Sequence, residues 1–346
     1  IYANPWNKCG EYDLLWERPT SVEWIDTDNS SRFQIDCGLQ IYGGYFRDMG
    51  ITRKKSFSIE FRSSYGEGRL DEDLFSGNAV SSFNDLVLRA GANDGWNNWG
   101  HENTQYIVDE FVRQSHLAMG GFSPHGTFAH LYIDGLYWGL YNVAEKVTGA
   151  FAAAYYGGRD DTWDVRSNDG VTDGTSAAWD TLTSLLNTTP VSNDVFQRIQ
   201  GKNPDGTRNP AYPIYLDVDN YIDYMLVNYW SANHDWPGNN WRALRDRNDA
   251  ISTGFKFAVW DAEFGIGVYN QVSDVGAMDD YSGVAALQAK LITNPEYKLR
   301  FADRAQKHLF NGGALSADAA VPRYSGLAAE VEPAIVAESA RWGDQD

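Results

Sequence analysis

The sequence is poor in basic residues and in cysteine, and it has no long apolar run. Lys and Arg number 28 against 47 Asp and Glu, which gives a formal net charge of −19. This balance argues against a nucleic-acid partner, because phosphate backbones are held mainly by surplus Lys and Arg. No apolar run approaches the roughly 18 residues of a membrane span, so none is expected. Cys9 and Cys37 are too few for a disulfide framework but can form one bridge.

Several catalytic signatures are also missing from the sequence. The absence of GxxxxGK[ST] excludes a P-loop NTPase. Without HExxH or paired Cys ligands a zinc hydrolase is not expected, and without GxSxG neither is an α/β-hydrolase. No repeat of fixed period and no low-complexity tract occurs, which removes solenoids and propellers.

The composition that is present predicts a folded protein with a substantial core. The 346 residues are 43% hydrophobic and 14% aromatic, enough for one large domain or two. Acidity combined with abundant Trp, Tyr, Asn and Gly favours a secreted or cell-surface protein, and an acidic cytosolic domain is the alternative. The opening IYANPWNKCG does not resemble a signal peptide, and the chain is expected to be part of a larger secreted protein.

The first half of the chain is predicted to be rich in strands. Phe57, Ile59 and Phe61 alternate with polar neighbours, a pattern typical of a strand with one face on the core. The turn-forming pair Asp134-Gly135 predicts a hairpin. The predicted elements are strands at 38–44, 54–63 and 83–91, a helix from about 102 to 119, and the hairpin at 126–147.

The second half is predicted to be mainly helical. Residues 157–213 read as loops with one helix near 177–186. The segment LDVDNYIDYMLVNYW has the apolar spacing of a long buried helix, capped by Asp217 or Asp219. A hairpin of WRALRD and FKFAVWD follows, and helices complete the chain. The order of elements indicates an α+β fold with a cleft between two lobes.

Four oxygen-bearing side chains surround that last hairpin. Asp235 precedes it, and Asn240 follows five residues later in a loop turned by Pro237 and Gly238, so both side chains are expected to face one cavity. After the hairpin, Asp261 and Glu263 stand at i and i+2. That spacing places them on the same face if the segment is extended.

This order is typical of phosphoryl transfer from ATP. Protein kinases use an Asp and, five positions later, a metal-binding Asn, then a hairpin and a metal-binding Asp-Phe-Gly. Here DAEFG closes the hairpin, and hard oxygen ligands of this kind suit Mg²⁺. Two alternatives remain: these are ordinary turn residues, or Asp246, Asp249 and Asp261 form a structural Ca²⁺ site.

The order of elements in the first half also matches a kinase-like fold. Arg89 ends the third strand, where kinases place a Lys that grips phosphate. Lys54 and Lys55 open the preceding strand, where a cation over the phosphates is plausible, and Glu145 and Lys146 close the fifth strand, where base and ribose rest. Candidate partners of Arg89 on the next helix are Glu102, Asp109 and Glu110.

The chain resembles the CotH kinase family, which is named for a spore-coat protein and is widespread among secreted proteins. The resemblance runs from about Trp16 to Asp344. It rests on several segments together: CGLQIYGG, KKSFSIEFRSSYG, LVLRAGANDG, YIDGLYWGLYNVAEKV, NHDWPGNNW, FKFAVWDAEFG and AESARWGD. The family commonly has a second Asp where this chain has Glu263, and an Arg where it has Lys146.

The resemblance implies a single domain over residues 1–346 with an atypical protein-kinase-like, two-lobed fold: an N-lobe-like part at 1–147 and a C-lobe-like part at 148–346. It implies binding of ATP with Mg²⁺ or Mn²⁺ and phosphorylation of Ser or Thr in secreted or surface proteins. Asp235 would be the catalytic aspartate, and Asn240 and Asp261 would be metal ligands, with Glu263 as an additional candidate.

Two other functions remain open. The same ATP site can serve AMPylation or glutamylation of a protein. Alternatively, the chain is a non-catalytic binding or scaffold module of a secreted assembly, whose carbohydrate or protein surface would be formed by Trp96, Trp99, Trp138 and Trp163. Persistent nucleotide binding without transfer would distinguish that module from an enzyme.

Overall fold

The computed structural model describes residues 17–28, 30–47, 51–96, 103–268 and 280–343. They form a mixture of strands and helices, which confirms the predicted α+β class. The chain divides into two compact units. The first unit comprises residues 1–106, 125–146 and 328–346, and the second comprises 107–124 and 147–327. The predicted two-lobed, kinase-like arrangement and the single domain divided after residue 147 stay predictions.

The first unit is built on an antiparallel sheet. Its described strands pair in the order β1-β2-β3-β6-β8-β7, and β4 pairs with β5 in a separate ribbon. The predicted hairpin is confirmed as β7 and β8, and its turn residues Asp134 and Gly135 have φ angles of 50° and 77°. The strands are β1 Arg18–Ile25, β2 Ser31–Tyr42, β3 Ser56–Glu60, β4 Leu70–Asp71, β5 Ser82–Phe83, β6 Asp85–Arg89, β7 Gly126–Ile133 and β8 Leu136–Glu145.

Strand β3 places buried apolar side chains on one face of this sheet and buried polar side chains on the other. The predicted alternation is confirmed, since Phe57, Ile59 and Phe61 pack in the apolar core of the unit. Ser58 and Glu60 point to the other face and are buried as well. The Ser58 hydroxyl donates to Glu60 Oε1 at 2.7 Å, as expected of buried polar groups.

The second unit combines helices with a four-stranded sheet of order β10-β9-β11-β12. Its strands are β9 Trp163–Ser167, β10 Gly170–Asp173, β11 Trp241–Asp246 and β12 Lys256–Val259. Its helices are α1 Val108–Ala118, α2 Gly149–Tyr156, α3 Ala177–Leu185, α4 Asn193–Ile199, α5 Val218–Trp230, α6 Ala285–Leu291 and α7 Pro295–Leu309. Helix α8, Ala317–Trp342, begins in the second unit, and its residues from Ala328 onward belong to the first.

The predicted loop region 157–213 is wrong in part. It contains the expected helix α3 but also β9, β10 and α4. Strand β9 pairs with β11, about eighty residues later in the chain, and such a distant partner leaves little local signal. Helix α4 is short, and its start is marked only by Ser192, whose side chain accepts from Val195 N.

The predicted start of the first-half helix, near residue 102, is also wrong, because α1 begins at Val108. Tyr106 has a φ of 65°, a conformation that interrupts a right-handed helix. The residues around Tyr106 make backbone-to-side-chain hydrogen bonds in place of helical ones. Gln105 N donates to Asp94 Oδ1 at 2.6 Å, and Trp96 N donates to the Tyr106 hydroxyl at 2.9 Å.

The long buried helix is confirmed as α5. Asp217 caps it by accepting from Asn220 N at 3.1 Å. Tyr221, Ile222 and Met225 are fully buried in the core of the second unit. Because these side chains are packed on all sides, α5 cannot rotate without losing contacts. The end of α5 is therefore fixed, and the following loop starts from it.

The helices predicted to complete the chain are confirmed as α6, α7 and α8. Phe301 and Ala305 of α7 pack against the core of the second unit, and Leu327 and Val331 of α8 are both buried. None of the described helices is long and apolar enough to cross a membrane. Cys37 is buried in β2, whereas Cys9 lies outside the described residues, so the possible bridge between them stays open.

Candidate active site

The loop between α5 and β11 carries the first two predicted site residues. It is anchored on both sides of Asp235, at His234 and Trp236. The Trp236 indole is buried and donates to the Tyr224 hydroxyl of α5 at 2.9 Å, while His234 N donates to Phe264 O at 3.3 Å. The loop therefore has little freedom where Asp235 lies.

Asp235 and Asn240 come together as the spacing predicts. Asn240 has a φ of 55°, and its Nδ2 donates to Asp235 Oδ2 at 2.8 Å. Asn239, which the sequence analysis did not single out, donates to the other carboxylate oxygen at 2.9 Å. Its only signal is the Asn-Asn pair before β11. Two amides thus fix the plane of one half-buried carboxylate.

The segment after β12 differs from the prediction. Asp261 and Glu263 do not share the face of an extended segment, because β12 ends at Val259 and Asp261 has a left-handed φ of 60°. Gly265 N donates to Ala262 O at 3.1 Å, which closes a turn over the intervening residues. Asp261 is half-buried, and Glu263 is buried.

Asp235 and Asp261 interact although they come from different loops. Burial raises the pKa of the Asp235 carboxyl, repulsion from Asp261 raises it further, and the bonds from Asn239 and Asn240 oppose both effects. Two partly desolvated carboxylates that repel each other are a favourable environment for a cation. This pair is the electrostatic centre of the candidate site.

The donor set fits a divalent cation that also binds phosphate. No group of three or more His, Cys, Asp or Glu suited to a metal occurs among the described residues. The Asp261 carboxylate and the Asn240 amide oxygen, with Glu263 as a further candidate, are nevertheless sufficient, because Mg²⁺ is usually held by one or two carboxylates plus water and substrate phosphates. Asn233 offers another oxygen in the same loop: it is buried, and no hydrogen bond to its Oδ1 is found within the described ranges.

The two lysines at the start of β3 have different environments in the first unit. Lys55 is buried and donates to Phe46 O at 2.8 Å and to Thr52 O. It therefore organises the backbone between β2 and β3. Lys54 pairs with Glu338 at 2.6 Å, and both side chains are fully buried. The sequence analysis did not identify Glu338.

The residues that end β8 have protein partners as well. Glu145 accepts from His125 N at 2.8 Å and lies 3.0 Å from His125 Nδ1. Lys146 pairs with Glu60 at 2.6 Å. Burial opposes the charge of Lys146, but Asp85 and Glu60 together raise its pKa, so it stays a cation.

Arg89 ends β6, as predicted, and is buried. Its predicted pairing with a carboxylate stays a prediction. Among the candidate partners, Asp109 and Glu110 both pair with Arg113, at 3.1 and 2.7 Å. Glu102 lies outside the described residues.

The structure gives no support to the Ca²⁺ site or to the tryptophan surface considered from the sequence. Asp249 pairs with Arg245, and Asp246 accepts from Asn248 N at 2.8 Å. Within the described part of the chain, Asp246, Asp249 and Asp261 do not form a group suited to a metal ion. Trp163 is buried in the second unit, and the Trp138 ring packs edge-on against Trp342. Trp96 is half-buried, and Trp99 lies outside the described residues.

Asp235→Asn is expected to raise the Tm of the metal-free protein at pH 7 by on the order of 1–3 °C. The pKa of Asp235 is raised in the folded state, so its ionisation opposes folding at pH values above that pKa. The gain is therefore largest at neutral pH and shrinks as the pH falls toward the ordinary Asp value of about 3.9.

Thermal unfolding in a chelator at pH 7 and pH 4 measures this difference. Asp205→Asn is the matched control, since Asp205 is exposed and accepts two hydrogen bonds from Thr207 in its own turn. Those bonds lower the pKa of Asp205, so its substitution should not raise Tm. A lower Tm for Asp235→Asn at pH 7 would contradict the proposed electrostatics.

One of the comparisons with known proteins identifies a family. The family model described as CotH kinase protein matches residues 39–346. No curated protein sequence matches. Two solved structures share low similarity: the Helicobacter pylori proinflammatory kinase CtkA (9% identity, 78% of this chain, 92% of that one, TM-score 0.29) and the Shewanella oneidensis MR-1 HipA, HipB and operator DNA complex (11%, 81%, 65%, 0.27). Neither TM-score is high enough to carry an argument.

Proposed function

Because the chain belongs to the CotH kinase family, we propose that it is an ATP-dependent protein kinase that phosphorylates Ser or Thr of secreted or surface proteins. The observation that carries the proposal is the cluster of Asp235, Asn240 and Asp261 at the ends of the β11–β12 hairpin. The order and spacing of these residues are those of a phosphotransferase site.

Asp235 is assigned to the acceptor hydroxyl. Its carboxylate is held by two Asn side chains, which leaves it oriented to accept a hydrogen bond from Ser or Thr. Its raised pKa makes it a better proton acceptor than an ordinary Asp, in the direction expected for a general base that works near neutral pH.

Asn240 and Asp261 are assigned to Mg²⁺ or Mn²⁺, with Glu263 as a further candidate ligand. The cation would supply charge neutralisation at the phosphate oxygens. Its binding would also remove the repulsion between Asp235 and Asp261, so that Asp235 is ionised in the loaded enzyme at a lower pH than in the metal-free protein.

Four residues of the first unit are assigned to the nucleotide: Lys55, Arg89, Glu145 and Lys146. Arg89 and Lys55 would neutralise phosphates, and the pair at the end of β8 would contact the base and ribose. All four are held by buried or partly buried surroundings, so a nucleotide would meet preorganised groups. We place the protein in the secretory space or at the cell surface, as part of a larger secreted protein.

The transferred group can be identified by intact-mass analysis. The protein is incubated with ATP, Mn²⁺ and candidate secreted proteins, and each acceptor is weighed. A phosphate adduct is the expected result. An adduct of AMP or glutamate would replace the kinase by another transferase using the same site, and ATP binding without any adduct would favour a non-catalytic module.

A further inference from the structure

Helix α1 places one carboxylate against the proposed metal-binding segment of the second unit. Asp109 lies in the first turn of α1 and is buried. Its Oδ1 accepts a hydrogen bond from Ala262 N at 2.8 Å. Ala262 directly follows Asp261, so the carboxylate of Asp109 holds the peptide unit on which Asp261 is mounted.

The same carboxylate is fixed from its other side. Arg113 Nε donates to Asp109 Oδ2 at 3.1 Å, and Arg113 also binds Glu110 at 2.7 Å and Pro124 O at 3.1 Å. Arg113 is 1% exposed. A guanidinium with three such partners has one geometry available, because its donors form a rigid fork. Asp109 therefore cannot turn away from Ala262 without breaking its buried ion pair with Arg113.

The backbone of Asp261 needs such support. Its φ of 60° is unfavourable for a residue with a side chain, and backbone of this kind persists where the surroundings determine it. The hydrogen bond from Ala262 N to Asp109 Oδ1 fixes the peptide on the C-terminal side of Asp261. The turn closed by Gly265 N on Ala262 O continues the restraint along the chain.

We propose that Asp109 is a positioning residue of the metal site: it holds Asp261 in the left-handed conformation that directs its carboxylate toward Asp235. This inference rests on the proposed function. It assigns Asp109 a role distinct from an ion pair with Arg89. The expected consequence is a dependence of metal affinity on Asp109, with no contribution of Asp109 to the chemical step.

Asp109→Ala removes both hydrogen bonds, and Asp109→Asn keeps an oxygen that can accept from Ala262 N. The Kd of Mn²⁺ in the presence of ATP, measured by calorimetry, is expected to rise about 10- to 100-fold for Ala, the usual cost of losing an outer partner of a metal ligand. A smaller rise is expected for Asn. Raising the Mn²⁺ concentration should restore the kcat of both variants toward the wild-type value.

The control is Asp223→Asn, which weakens the buried ion pairs of Asp223 with Arg304 and His308 of α7 in the same unit. It should lower the unfolding midpoint and leave the Kd of Mn²⁺ unchanged. An unchanged Kd in both Asp109 variants, or a kcat that Mn²⁺ does not restore, overturns the positioning role while wild-type binding upholds the proposed function. Absence of Mn²⁺–ATP binding in the wild type overturns both.

Discussion

Asp235→Ala and Asp261→Ala are each expected to lower group transfer from ATP by about 100- to 10,000-fold. The first removes the group that orients the acceptor hydroxyl. The second removes a carboxylate from the cation site, so the negative charge of the phosphates is no longer offset by a bound cation. Transfer is measured as label incorporated from ATP into an acceptor protein with Mn²⁺ present.

The two variants should differ in one respect. Excess Mn²⁺ should recover some transfer in Asp261→Ala, because Asn240 and Glu263 still offer oxygens. It should recover none in Asp235→Ala, because Asp235 acts on the acceptor hydroxyl. Asp205→Ala, an exposed turn residue of the same unit, should label like the wild type. Equal labelling by wild type, Asp235→Ala and Asp261→Ala would refute the assigned roles.

Glu338→Ala is expected to lower the free energy of unfolding by about 3–5 kcal/mol. Lys54 and Glu338 are both fully buried, and the ammonium also donates to Leu140 O at 2.6 Å. Glu338 Oε2 accepts from Leu140 N at 2.7 Å. Removing the acid therefore leaves a buried ammonium and a backbone N–H without their anionic partner, which costs far more than an exposed ion pair.

Denaturant unfolding of single and double variants measures this coupling. Lys54→Met combined with Glu338→Leu should be more stable than either single variant, since an apolar pair of similar volume often replaces a buried ion pair at little cost. Removing the exposed pair of Arg159 and Asp161 should lower the free energy of unfolding only slightly. A loss that small for Glu338→Ala would contradict the account of this pair.

The features predicted from the sequence are those with local causes. The apolar spacing of α5 extends over three turns and cannot fit a strand, and Asp134-Gly135 accepts the positive φ angles that a tight hairpin turn requires. The approach of Asp235 to Asn240 was predictable for a related reason: they are five residues apart in a loop that must reverse direction, so little else determines their distance.

The features that were missed depend on partners far away in the chain. Strand β9 exists because β11 lies beside it. Lys54 finds its counterion 284 residues later, at a position where Gly139 leaves room: a Cβ at Gly139 would lie 2.7 Å from Glu338 Oε2. Neither relation has a periodic or motif signal, because each depends on tertiary packing.

The conformation of Asp261 was missed for another reason. The alternation of β12 extends naturally into the following residues, so an extended segment is the expected continuation. The chain turns instead because Ala262 N is held by Asp109, 153 residues earlier. The contact of Asn240 with Asp235 could thus be predicted from spacing, but the geometry of Asp261 required a contact that no local pattern encodes.

The central claim is that Asn240 and Asp261, beside the carboxylate of Asp235, hold a cation that carries a nucleotide. The most direct test is the binding of Mn²⁺ with and without ATP, followed by electron paramagnetic resonance in the wild type and in Asp261→Asn. The account predicts Mn²⁺ binding that ATP strengthens in the wild type and that falls at least about 10-fold in the variant. Equal binding by the two proteins, or none by the wild type, would contradict it.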